Sequence, residues 1–215
     1  MLAWEEIEAS LQKKRASLAL KRAMDIVLSA GGIAVLSPVL LLIALAIVLD
    51  SRGGVFYRQV RVGRNGKEFR IFKFRTMVSD ADKRGLLITV GADSRITRVG
   101  KILRKTKLDE LAQLFNVLKG DMSFVGPRPE VPRYVAMYTP AQRNVLLVRP
   151  GITDYASVAY RDENDLLAGA DDPERVYIEE IMPEKLELNR QYLSQIGVLT
   201  DLKLIFSTVL AVVRG

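Results

Sequence analysis

One segment dominates the hydrophobic pattern of the chain: Ile26 to Leu49 runs for 24 residues without a charge. As a straight helix it would measure about 36 Å, enough to cross a hydrocarbon core of roughly 30 Å. It begins too late and runs too long for a cleavable signal peptide, and no small-residue cleavage site follows it. Ser37-Pro38 divides the run into two halves of 12 residues. Proline removes a helix hydrogen bond and clashes with the preceding turn, so a bend is expected there, and Ser37 can bond a carbonyl that the bend frees. Lys13, Lys14, Arg15, Lys21 and Arg22 precede the run, and Arg52, Arg58, Arg61 and Arg64 follow it. Basic flanks prefer the cytoplasmic side. A helix that enters, bends and leaves by the same face satisfies these facts, and so, from this segment alone, does a kinked single-pass helix.

Elsewhere the periods are shorter. Residues 1–20 read as an amphipathic helix on a solvated surface, with Leu2, Ile7, Leu11 and Leu18 set against Glu5, Glu6, Glu8 and Lys13. Val55–Val60 and Glu68–Phe74 alternate as strands around Asn65-Gly66, a strong turn signal, and so predict a hairpin. Asp80–Val90 is polar and reads as a loop with a helical turn. Ser94–Lys105 and Leu108–Lys119 carry apolar residues at helical spacing, and Gly120 is the stop of the second. Gly126-Pro127-Arg128-Pro129 is a rigid loop, and Arg149-Pro150-Gly151 is a turn. Val131–Val148 is helical in parts, and Pro173–Ile196 is helical with an interruption near Pro183. Asp201–Val213 is an amphipathic helix that suits a bilayer surface or a core equally. The pattern predicts an α+β chain: a mostly helical compact domain with a small β-hairpin, plus a membrane helix and interfacial amphipathic helices.

Composition narrows the chemistry. A chain of 215 residues is long enough for one domain with a real core, or one domain plus a membrane element. It contains no cysteine and no histidine. Disulfides, thiolate metal sites and the commonest general base are therefore excluded. Catalysis has to use carboxylates, Lys, Arg, hydroxyls or a hard metal ion. The net charge of +7 favours anionic partners without choosing among nucleic acid, lipid and phosphorylated substrates.

The densest cluster of reactive groups is Arg104-Lys-Thr-Lys-Leu-Asp-Glu110. Thr106 and Asp109 fit a capping box, in which Asp109 and Glu110 only complement a helix dipole. Three features point further. A helix start favours anions. Arg104, Lys105 and Lys107 bring more positive charge than a cap requires. Adjacent carboxylates beside phosphate-binding cations suit Mg²⁺-assisted phosphoryl transfer, and a carboxylate can itself attack phosphorus. Lys73 and Arg75 alternate with Phe72 and Phe74, Arg128 is held between two prolines, and Arg149 and Arg161 follow. Arginine suits bidentate phosphate binding.

Phe56-Tyr-Arg-Gln-Val-Arg-Val-Gly63, Phe72-Lys-Phe-Arg-Thr-Met77, Arg95-Ile-Thr-Arg-Val-Gly100, the block from Leu108 to Pro129, and Arg149-Pro-Gly-Ile-Thr153 together resemble the monotopic phosphoglycosyl transferases, the bacterial sugar transferase family, in the size of its minimal catalytic unit. The resemblance runs from about Lys21 to the C-terminus. It implies a re-entrant helix broken at Ser37-Pro38, a membrane unit over residues 1–50, and a catalytic domain over residues 51–215 that ends in an interfacial helix. It implies that Asp109 attacks the β-phosphate of a UDP-sugar, releases UMP and holds a covalent phosphosugar until polyprenol (undecaprenyl) phosphate takes it in a ping-pong cycle. Glu110 would place Mg²⁺ together with Asp109, or orient Asp109. Lys73, Arg104, Arg128 and Arg161, with Arg75 beside Lys73, would bind the phosphates. The implied setting is the cytoplasmic face of the bacterial inner membrane, with lipid contact, no nucleic acid, and room for a homodimer. The sequence departs from the family at Asp154-Tyr155, where Gly-Trp is frequent, and at Asn189, where Asp is frequent. The competing readings are a membrane-bound nucleotide-sugar phosphatase or pyrophosphatase that passes the phosphosugar to water, and a non-catalytic scaffold for anionic lipids.

Overall fold

The computed structural model describes residues 2–79, 81, 93–160 and 163–214. The loop expected at Asp80–Val90 lies, apart from Ala81, outside the described residues. The chain opens with α1 (Trp4–Lys13), in which Glu6 accepts the Ala3 backbone N–H at 2.8 Å. Its apolar stripe faces inward, as an amphipathic helix requires. Ile7 and Leu11 are buried, and Asn144 Nδ2 donates to the Trp4 carbonyl at 2.7 Å, so the stripe closes the main core.

Helix α2 (Arg15–Asp50) contains the whole apolar run, and helical structure continues through Pro38. Ser37 Oγ donates to the Ala34 carbonyl at 2.8 Å, as the freed-carbonyl argument requires. The helix is not a core helix: in its most apolar 18-residue window, of mean hydropathy 2.9, only 17% is buried. Val27, Val35, Leu41, Leu45 and Leu49 are exposed. The opposite edge lies on the rest of the protein from end to end. Near its start, Lys21, Asp25 and Ser29 are buried. Near its finish, Leu40, Ile43 and Ile47 pack with Phe74, Leu103 and Ala112.

Strands β1 (Phe56–Val62) and β2 (Glu68–Phe74) form the expected antiparallel hairpin, with Phe56 opposite Phe74 and Val62 opposite Glu68. Asn65 takes the left-handed conformation that the turn needs (φ 58°). Helix α3 (Arg98–Lys105) is capped by Thr97, whose hydroxyl accepts the Gly100 N–H at 3.0 Å. Gly100 packs directly on the end of the hairpin segment, where a Cβ would stand 2.0 Å from the Thr76 carbonyl oxygen. A 3₁₀ turn (Leu108–Gln113) then leads into α4 (Leu114–Lys119), which stops at Gly120 (φ 100°) as expected.

Strand β3 (Ser123–Val125) pairs in parallel with β4 (Gly151–Thr153), bracketing the short helix α5 (Pro132–Val135). The pair brings Gly126 against Gly151, where a Cβ on Gly151 would lie 2.1 Å from the Gly126 nitrogen. Short helices α6 (Tyr155–Ala159), α7 (Glu163–Ala168) and α8 (Pro173–Val176) follow. The interruption expected near Pro183 is a π turn, Tyr177–Ile181. It runs without a break into α9 (Met182–Gln195), whose first turn accommodates the proline. Helix α10 (Val198–Arg214) divides its faces. Asp201 and Leu204 are buried, whereas Leu199, Leu202, Phe206 and Val209 are exposed.

A buried polar cluster ties these parts together. Lys21 Nζ forms an ion pair with Asp201 and donates to the Val125 carbonyl at 2.7 Å. Tyr192 donates to Asp201 at 2.8 Å, and Asp25 accepts the Ser123 hydroxyl and the Phe124 N–H, each at 3.1 Å. The start of the apolar helix is thereby locked to β3, α9 and α10.

Candidate active site

Asp109 sits in the 3₁₀ turn between α3 and α4 and is buried. The expected capping box is absent. Thr106 Oγ1 donates back to the Ile102 carbonyl at 2.8 Å, and the turn begins after Lys107 in a left-handed conformation (φ 57°). A non-glycine residue there carries strain that the surroundings must hold. The α-helix proper begins only at Leu114, so Asp109 does not stand at an α-helix N-terminus.

The hairpin and the rigid proline loop bring their cations to this turn. Lys73 Nζ stands 2.9 Å from Glu110 Oε1. Arg128 reaches the same carboxylate with both terminal nitrogens, in the bidentate geometry that planar guanidinium favours. Burial opposes ionisation of Glu110, but the charges and hydrogen bonds of Arg128 and Lys73 outweigh it and hold its carboxyl far below the usual range. Glu110 in turn keeps Arg128 protonated against burial. Asp109 differs. Burial raises its pKa, the neighbouring Glu110 raises it further, and Lys73, Arg104 and Arg128 oppose only in part. The two adjacent carboxylates are thus driven apart, as happens where they serve different roles.

Arg104 donates to Thr76 Oγ1 at 2.9 Å, and Asp109 supports its charge against the burial that lowers its pKa. Asp154 positions Arg128 from behind. Its Oδ2 accepts the Arg128 backbone N–H at 3.0 Å, and its Oδ1 caps α6 through the Ser157 N–H at 2.6 Å. In the sequence Asp154 stands out only as a departure from a frequent glycine. The Asp-x-x-Ser spacing of a cap was the available signal.

Two of the expected phosphate ligands are committed elsewhere. Arg75 lies one residue past β2 and turns its guanidinium to the end of α2. There it donates to the carbonyls of Arg52 at 2.6 Å and Ser51 at 2.7 Å. Strand alternation misplaces it because β2 ends at Phe74. Arg149 Nε donates to the Gly120 carbonyl at 3.0 Å, just past the end of α4. Arg161 lies outside the described residues.

Asp109, Glu110, Lys73, Arg104 and Arg128 line one cavity of about 1030 Å³, larger than most small-molecule pockets. No group of three or more acidic side chains able to hold a metal occurs among the described residues. Mg²⁺ needs only one or two carboxylates when substrate phosphates complete its shell. Asp109 fits such a donor set, whereas Glu110 is already taken up by two cations.

Residues 16–215 match the family of bacterial sugar transferases. The chain is 38% identical over 199 residues to a UDP-N-acetylgalactosamine-undecaprenyl-phosphate N-acetylgalactosaminephosphotransferase of Aeromonas hydrophila, covering 91% of this chain and 44% of the relative. It is 39% identical over 194 residues to a UDP-glucose:undecaprenyl-phosphate glucose-1-phosphate transferase of Escherichia coli, covering 88% and 39%. An exopolysaccharide production protein of Rhizobium leguminosarum is 38% identical over 209 residues, covering 90% of this chain and 95% of the relative. The chain therefore spans about two fifths of the first two relatives and nearly all of the third.

Proposed function

The chain belongs to the bacterial sugar transferase family, and from that premise we propose that it transfers a sugar phosphate from a UDP-sugar to polyprenol phosphate through a covalent intermediate on Asp109. The observation that carries this reading is the division of labour in the dyad. Glu110 is fixed as an anion between Lys73 and Arg128, while Asp109 stands beside it in the same cavity with its charge only partly compensated.

The chemistry balances without histidine. An Asp109 carboxylate oxygen attacks the β-phosphorus, and the bond to the oxygen bridging the α- and β-phosphates breaks. UMP leaves with that electron pair, and an acyl phosphate remains. An oxygen of polyprenol phosphate then attacks the same phosphorus and expels the aspartate as a carboxylate. Neither step requires a proton from the protein, because both nucleophiles are anions. Lys73, Arg104 and Arg128 offset the phosphate charges. A Mg²⁺ ion held by Asp109 would supply further charge neutralisation at the phosphates.

The second substrate is lipid, and the fold supports access to it. Within residues 1–50 the exposed apolar edge of α2 supplies the membrane contact, and residues 51–215 supply the catalytic surface. Both halves of α2 rest on that surface while its exposed edge is apolar. This supports a helix that dips into the cytoplasmic leaflet and returns, with the site at the interface.

Intact-protein mass spectrometry after mixing with a UDP-sugar, followed by peptide mapping, tests the mechanism. A sugar-phosphate adduct on Asp109 is expected. Its location on another residue, or transfer in one step without an adduct, would refute it. Release of sugar phosphate with no polyprenol phosphate present would favour the phosphatase reading.

A further inference from the structure

The two helices that flank the dyad both end on left-handed backbone, and they use different residues to do it. Helix α4 stops at Gly120 (φ 100°), and glycine adopts that conformation freely. Helix α3 gives way to the 3₁₀ turn at Lys107 (φ 57°). The other non-glycine residue of this kind among the described residues is Asn65, whose short polar side chain tolerates the conformation. Lysine has no such tolerance. The backbone at position 107 does not ask for a lysine either. Its N–H donates to the Arg104 carbonyl and its carbonyl accepts the Glu110 N–H, each at 3.2 Å, and glycine would make both bonds without strain. A strained residue that the local fold does not require points to a use for its side chain.

The position of the side chain indicates that use. Lys107 and Asp109 line the same cavity, but Asp109 is buried in its depth and Lys107 is exposed at its rim. This part of the rim lies against α2. The next residue, Leu108, packs with Leu40, Ile43 and Ile47, and the far edge of that stretch of α2 exposes Leu41, Leu45 and Leu49. A ligand that approaches along the apolar helix therefore passes the Lys107 ammonium on its way to the dyad. The cations of the depth are engaged there: Lys73 and Arg128 hold Glu110, and Arg104 donates to Thr76. A compact ammonium on a flexible stem is suited to a phosphate that moves.

We propose that Lys107 binds the phosphate of the lipid acceptor and guides it from the membrane edge to the intermediate on Asp109. This rests on the transferase reading given above. The ammonium pairs with phosphate oxygens that do not attack, so no proton changes hands. It serves the second half-reaction. The first, in which Lys73, Arg104 and Arg128 meet the donor diphosphate, does not use it.

The test measures the two half-reactions separately, in neutral detergent and in vesicles containing phosphatidylglycerol. Adduct formation from a UDP-sugar is followed by intact-protein mass spectrometry, and discharge of the adduct by its dependence on undecaprenyl phosphate. Lys107→Gly, Lys107→Asn and Lys107→Arg are compared with Lys105→Met, which removes an exposed charge outside the cavity lining. Lys107→Gly is expected to raise the melting temperature by about 2–4 °C, through release of the left-handed strain. Lys107→Gly and Lys107→Asn are each expected to raise the KM for undecaprenyl phosphate by about 10-fold in both media, the scale of one charge-assisted hydrogen bond, and to slow adduct formation by less than about 2-fold. Lys107→Arg and Lys105→Met should keep the KM close to that of the unaltered enzyme. An unchanged KM in Lys107→Gly, or an equal rise in Lys105→Met, would overturn the proposal. So would an equal slowing of adduct formation, which assigns the lysine to the donor, or a lowered melting temperature in Lys107→Gly, which assigns it to a contact within the fold. An effect confined to the phosphatidylglycerol vesicles would assign it to bulk lipid and overturn the proposal as well. Failure of the unaltered enzyme to form an adduct with any UDP-sugar would overturn the proposed function, and the role of Lys107 with it.

Discussion

Lys73 Nζ lies 2.9 Å from Glu110 Oε1, and this contact decides which member of the dyad stays reactive. With Arg128 on its other side, Glu110 is an orienting anion that anchors two cations. Asp109 keeps an uncommitted character.

Asp109→Asn is expected to abolish adduct formation and to lower turnover by about 10³-fold or more, the scale of losing a nucleophile. The same substitution is expected to raise the melting temperature near neutral pH. Burial raises the Asp109 pKa in the folded state, so folding is penalised as the pH rises through the ordinary aspartate range, and fully so above the raised value. The penalty develops between the ordinary aspartate range and the raised value. The advantage of Asn should therefore shrink as the pH falls through that window and vanish below the ordinary range. Thermal melts across pH read this directly.

The acid limb of the rate profile should follow the same group. Activity requires ionised Asp109, so kcat/KM should fall on acidification at a pH above the normal carboxylate range. Lys73→Met removes a charge that favours ionisation and should move that limb to higher pH. A limb that stays in place would assign it to another group.

Glu110→Gln is expected to lower stability by about 2 kcal/mol. That is less than the 3–5 kcal/mol typical of breaking a fully buried pair, because the Arg128 side chain is 37% exposed. Its effect on kcat should exceed that on stability, since Arg128 and Lys73 lose their anchor. Denaturant unfolding together with steady-state kinetics separates the two.

Arg75→Ala is expected to destabilise the protein by about 2–3 kcal/mol, through carbonyls left unpaired at the end of α2. The donor KM in the remaining folded enzyme should stay within about 2-fold, because none of these bonds reaches the dyad. A large KM change with unaltered stability would restore Arg75 to the phosphate site.

Lys21→Met should lower stability by about 3–5 kcal/mol, because it strands Asp201 in the interior. The double variant Lys21→Met/Asp201→Leu should recover part of this loss in a double-mutant cycle. Additive losses would show that the pair is not coupled.

The hairpin, the Gly120 stop, the apolar length of α2 and the presence of the dyad were legible in the sequence. Each depends on residues close together: an Asn-Gly turn, a left-handed glycine, an uncharged run, two adjacent carboxylates. Arg75 and Asp154 were not legible, because their roles are set by what lies across from them. One is turned to the end of α2, some 25 residues back in the chain, and the other to Arg128, 26 residues away. The parallel pairing of β3 with β4 was equally hidden. Three-residue strands carry no readable alternation, and their pairing depends on the close approach of Gly126 and Gly151 across the fold. The sequence determined which chemical groups the protein has. The tertiary structure decided which charges meet, because ion pairing falls off over a few ångströms and local spacing says nothing of distances across the fold.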